Sequence, residues 1–176
     1  MKTLSIFFAA LIMLSASCKK ADELTKFNME FNSEVTVPPN TLVNLPIDLL
    51  TPDMTTNYEE TFSANDTRKD LVEEITIDKI TITAKAPQGI TLDFLKSITV
   101  YISADGIPEK EVASKYDIPD GLTSLDLDYV SDNLKDFLTR ETIRLRVKTV
   151  TDKAVNQEID LNVYNRFKVD AKVLGV

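Results

Sequence analysis

Six aspartates lie between positions 117 and 136: Asp117, Asp120, Asp126, Asp128, Asp132 and Asp136. Carboxylates in such a run could hold calcium, and two of them at a set separation could hydrolyse a glycosidic bond. Their spacing supports neither. No stretch sets oxygen ligands around a central glycine as an EF-hand loop does. Asp126 and Asp128 alternate with Leu125 and Leu127 as the solvent side of a strand, and Asp132 falls where negative charge favours a helix N-terminus. The run therefore reads as surface, and no metal site, cofactor or catalytic residue is expected. A carboxylate-dependent hydrolase ranks third among the readings, because 28 acids can neither support nor exclude one.

The other groups with binding chemistry are basic and aromatic. Arg144, Arg146 and Lys148 make a stripe that could hold a phosphate or an anionic glycan, although acids on a neighbouring strand account for it more simply. Sugar-binding sandwiches usually present flat aromatic platforms. With no Trp the candidates reduce to Tyr58, Tyr101 and Tyr164, the last two on the polar parity of their strands. Arg144, Arg146, Lys148, Tyr101 and Tyr164 are thus the candidate binding surface.

Composition removes more than it offers. The chain has 176 residues, no His and a single Cys, so Ser-His-Asp and Cys-His pairs, imidazole metal sites and intramolecular disulfides are out. Four scattered glycines cannot form a phosphate-cradling loop. A net charge of -8 argues against a nucleic-acid partner. Apolar residues at 43% are enough for a core.

The N-terminus carries an address. Met1-Lys2-Thr3 is a positive start, positions 4 to 14 are apolar except for Ser5, and Ser15-Ala16-Ser17 supplies small residues before Cys18. An apolar run this short is a signal peptide, since a spanning helix needs about 20 residues. Ser15-Ala16-Ser17-Cys18 resembles the lipobox of bacterial lipoproteins, with Leu14 one place further out than the usual Leu. The resemblance implies that Cys18 is lipidated as the first mature residue. Lys19 follows it where lipoproteins kept at the inner membrane commonly have Asp, which favours the outer membrane. Lys19-Lys20-Ala21-Asp22-Glu23 loosely resembles the surface-export signal of Bacteroidota lipoproteins and equally suits a solvated spacer, so the membrane face stays open. As a whole the chain resembles short outer-membrane lipoproteins of the Bacteroidota. The expected division is a leader at 1–17, a lipidated tether at 18–25 and one domain at 26–174.

Alternation dominates that domain. Phe27, Met29, Phe31, Val35 and Val37 share one face of a first strand. Val43, Leu45, Ile47 and Leu49 form a second, placed at an edge by Pro46. Residues 51 to 70 read as the longest loop, with Asn65 or Asp66 capping a short turn. Inward parity changes between Ile77 and Ile80, predicting a bulge near Asp78-Lys79. Ile98, Val100 and Ile102 make another strand, closed by the Asp105-Gly106 turn. Val112, Tyr116 and Ile118 read as the inward face of a weaker strand, and Leu125, Leu127 and Tyr129 as one more. Val130, Leu134, Phe137 and Leu138 have helical spacing, with Ser131 or Asp132 as cap. Near the C-terminus, the segments around Leu145 and Leu161 are predicted to pair as a hairpin. That register sets Val147 against Ile159, Leu145 against Leu161, Arg146 against Asp160 and Lys148 against Glu158. Together the segments predict an all-β fold, an antiparallel β-sandwich of Ig-like or jelly-roll-like kind with one or two short helices.

The function expected from this layout is a non-enzymatic, lipid-anchored envelope module that binds or scaffolds a partner. Its membrane contact would run through Cys18, and its partner would be another envelope protein. The alternative is a carbohydrate-binding module of a polysaccharide-uptake system.

Overall fold

A computed structural model describes residues 26–172, and within them the alternating pattern becomes two antiparallel sheets packed face to face. The first sheet has the strand order β1 (Lys26–Val37), β10 (Ile159–Ala171), β4 (Val72–Ala86) and β7 (Ser124–Asp126). The second runs β2 (Pro46–Leu50), β9 (Thr142–Thr151), β5 (Leu95–Ala104), β6 (Ile107–Tyr116) and β8 (Asp128–Tyr129), and β3 (Met54–Thr55) also pairs with β9. The core lies between the sheets, where Ile75, Ile80, Ile82, Ile98, Ile102, Leu145, Leu161 and Phe167 are buried. Period-2 apolar patterning with one face solvated produces this arrangement directly.

Several sequence features land where expected. Met29, Val35 and Val37 are buried on β1, and Pro46 opens β2, an edge strand of its sheet. The parity change in β4 is a bulge at Asp78: Arg166 pairs with Lys79 while the next residue, Phe167, pairs with Ile77. The Arg166 guanidinium donates to the Asp78 carboxylate and holds the bulge.

The C-terminal hairpin is not formed. β9 pairs with β2, β3 and β5, whereas β10 pairs with β1 and β4 in the opposite sheet. The connection 152–158 therefore crosses the sandwich instead of turning back within one sheet. Leu145 and Leu161 both face the core, but from opposite layers. Arg146 does not meet Asp160, which accepts a hydrogen bond from Thr36 Oγ1 at 2.7 Å. The strand expected at 125–129 also divides, with β7 on β4 and β8 on β6, so the chain changes sheet at Leu127.

Two caps differ as well. Helix α1 (Tyr58–Ala64) precedes Asn65, whose backbone N–H closes its C-terminus, so Asn65 and Asp66 do not start it. Phe62 anchors α1 to β1 through an edge-on contact with Phe27, and it meets Tyr58 of its own helix in the same way. The N-cap of helix α2 (Lys135–Leu138) is Leu134 and not Ser131 or Asp132; just before it, Asn133 Oδ1 accepts from the N–H of Lys135 at 3.0 Å and of Ile75 at 3.2 Å.

The sandwich has two distinct ends. At the base lie the start of β1, the end of β10 and both helices. The opposite end, the crown, gathers the connections 38–45, 87–94, 117–123 and 152–158. Among the described residues no helix is long and apolar enough to cross a membrane.

Candidate functional site

The register of the larger sheet arranges its outer face in rows. One row is Asp48, Lys148, Thr99 and Ser114, and the next toward the base is Leu50, Arg146, Tyr101 and Glu111. Arg144, Arg146, Lys148 and Tyr101 thus share one surface, as expected. Tyr164 does not join them, because β10 belongs to the other sheet and its outward residues face the opposite side.

The basic stripe is already neutralised. Arg146 donates from Nε and Nη2 to the two carboxylate oxygens of Glu109 at 2.9 and 2.6 Å, and from Nη1 to Asp48 Oδ1 at 2.5 Å. Its guanidinium lies 4.0 Å from the ring centroid of Tyr101, covering the one aromatic ring that shares this stripe. Arg144 Nε donates to Asp53 Oδ1 at 2.6 Å. Lys148 stands beside Asp48 in the ladder. A fork held by two carboxylates and stacked on an aromatic ring is a strand-to-strand clamp.

That clamp carries a prediction. The Arg146 hydrogen bonds hold the Glu109 carboxyl below its usual range. Its contribution is present at neutral pH and is lost as pH falls through the folded value. Arg146→Ala should lower stability by about 1 kcal/mol near pH 7. Urea melts should show the gap from wild type narrowing once Glu109 protonates.

A different part of the same face is open. Toward the crown the outward row is Pro46, Val150, Ser97 and Tyr116. The expectation that Tyr116 faces inward fails. β6 has a register shift that buries both Val112 and Ala113, and beyond this bulge the even positions point outward. Tyr116 is 62% exposed, beside a shallow groove of about 240 Å³ lined also by Asn44, Lys96, Ser97, Asp117 and Val150.

Each wall has a local cause. Asn44 and Asp117 adopt left-handed backbone at φ 60° and 51°, a conformation that Asn and Asp tolerate better than most residues. Lys96 sits in a second register shift, between Leu95 and Ser97, and its ammonium reaches Asn44 Oδ1 at 3.0 Å. The crown behind the groove is cross-tied. Asn40 and Val155 exchange backbone hydrogen bonds of 2.7 and 2.8 Å, and Lys153 Nζ reaches Asp120 Oδ1 at 2.8 Å. The Gly121 N–H donates to Asp93 Oδ1 at 2.6 Å, which with a Thr91 hydrogen bond lowers the Asp93 pKa. An exposed ring beside amide, ammonium, hydroxyl and carboxylate groups can stack on one face of a ligand and hydrogen-bond its edge.

The aspartate run is scattered by the fold. Asp126 meets Thr81 and Lys79, Asp128 meets Lys115, Asp132 meets Lys110, and Asp120 meets Lys153. Among the described residues no three His, Cys, Asp or Glu side chains group as metal ligands. Cys18, the leader and residues 173–174 lie outside the described residues.

No family model matches this chain, and no curated protein does. Similar solved structures include a carbohydrate-binding module, CBM32, from Clostridium perfringens, in complex with GalNAc-beta-1,3-galactose. It is 11% identical with a TM-score of 0.38, covering 81% of this chain and 97% of that one. A chitobiase C-terminal domain from Bacteroides fragilis is 13% identical with a TM-score of 0.35, covering 69% of this chain and 64% of that one. A Parabacteroides distasonis protein is 11% identical with a TM-score of 0.49; 81% of this chain is covered, against half of that protein.

Proposed function

We propose that this chain is a non-enzymatic, glycan-binding lipoprotein of the outer membrane, held by lipid on Cys18 and working through the Tyr116 groove. The observation that carries the reading is the exposed Tyr116 ring with Asn44, Lys96, Ser97 and Asp117 around it. Sugar rings present apolar C–H faces and a rim of hydroxyls. A ring with few, converging polar groups suits that chemistry better than a charged patch would. The polarity of the sandwich agrees with the anchor. Lys26 begins β1 at the base, so an anchor at Cys18 would be joined to the end opposite the crown. Seven intervening residues span at most about 25 Å when fully extended. The crown and its groove would then face away from the bilayer.

A glycan array probed with the purified protein tests the reading. Binding to at least one saccharide is expected, and Tyr116→Ala should weaken it at least tenfold without lowering the melting temperature. An array with no signal would remove the glycan reading.

One observation favours a second reading, the docking of another envelope protein. Leu42 and Leu45 are 61% and 51% exposed near the crown, where water would otherwise face bare hydrocarbon. Here a Leu42→Ser, Leu45→Ser double variant should lose a co-purifying envelope protein while keeping the wild-type response on the array.

A further inference from the structure

We infer that the Tyr116 groove takes an internal stretch of a linear, uncharged glycan lying across the strands, not a chain terminus and not a charged saccharide. The inference rests on the glycan reading above and narrows it. Pro46, Val150, Ser97 and Tyr116 are paired in register across four neighbouring strands. Three inter-strand spacings make a strip about 14 Å wide, broader than one pyranose ring. No member of this strip carries charge.

Both ends of the strip are open among the described residues. β2 is an edge strand, so nothing pairs outboard of Pro46. β8 joins β6 only at Ala113 and Ser114, leaving Tyr116 without an outer strand. A site reading a chain end closes on that end, whereas a strip open at both ends lets a chain run through. The groove's polar groups are set for hydroxyls. Lys96 occupies Asn44 Oδ1, and the Asn44 amide nitrogen has no partner among the described residues, so it can donate. Asp117 supplies an acceptor, and Ser97 can do either.

The charges beside the strip come in both signs. Lys96 and Asp117 line the same groove, and in the adjacent row Lys148 stands next to Asp48, which also accepts from Arg146. An anionic sugar would gain from one group what it loses to the other, and it would also shed hydration.

The test is calorimetric titration of the full chain in a non-glycosidic detergent. The probes are cello-, xylo- and manno-oligosaccharides of one to six units, with polygalacturonate as the charged comparison. In at least one neutral series the affinity should rise tenfold or more from the monosaccharide to the tetrasaccharide and then level off. Val150→Glu, at mid-strip, should remove that gain with the melting temperature unchanged. A monosaccharide bound as tightly as its tetrasaccharide would overturn the internal-segment inference and leave the glycan reading standing. Tighter binding of polygalacturonate than of every neutral series would overturn the uncharged assignment. Silence from all probes and from the array would overturn both.

Discussion

Replacing Cys18 by Ala should move the protein from the detergent phase to the aqueous phase and leave the folded domain unchanged. The expectation follows from the leader and from the small residues that precede Cys18. Acyl chains contribute about 0.8 kcal/mol per buried methylene, and a single chain holds only marginally, so the several chains of a lipoprotein anchor make attachment close to all-or-none. Phase partitioning followed by immunoblotting reads it directly. Equal recovery of wild type and variant in the detergent phase would remove Cys18 as the anchor, with the glycan site unaffected.

The second large effect lies in the core. Leu145 on β9 and Leu161 on β10 are both fully buried, facing each other's layer from opposite sheets. Either one changed to Ala should cost about 2 to 5 kcal/mol, because the lost transfer energy is joined by a cavity the sandwich cannot collapse. Against a total stability of about 5 to 15 kcal/mol, that is a large share. Arg146→Ala, one residue from Leu145 but on the outer face, should cost several times less. Urea unfolding of the variants measures the contrast. Equal losses from both faces would contradict the inward parity of β9.

The sequence carried the strands better than their partners. Period 2 is a local property, so the inward faces of β1, β5, β9 and β10 could be read from neighbouring residues, as could the Asp78 bulge from the odd-to-even change between Ile77 and Ile80. Pairing is not local. Arg146 and Lys148 could be matched with Asp160 and Glu158 on paper because any even shift keeps both faces consistent. The fold instead gives Arg146 to Glu109 and Asp48 on other strands. The site was less legible still. Tyr116 turns outward only because β6 spends an extra residue near Val112, and nothing in the alternation of Val112, Tyr116 and Ile118 marks that insertion. Two apolar neighbours in succession, Val112 and Ala113, were the available signal. Lys96 is aimed by a similar shift in β5, while the left-handed turns at Asn44 and Asp117 rest on residue types that occur in many loops.

The order of strands within the sheets sets the timing of folding. Among the described strands only β5 and β6 are both consecutive in sequence and hydrogen-bonded to each other. The strands that hold each sheet together are the last two made: β9 sits between β2 and β5, and β10 between β1 and β4. A chain emerging N-terminus first can close one local hairpin, but the larger sheet cannot be completed before β9, nor the smaller before β10. Non-local pairing of this kind places folding in the millisecond-to-second range. The two sheets would therefore close late and in turn, the larger once β9 is made and the smaller once β10 follows it.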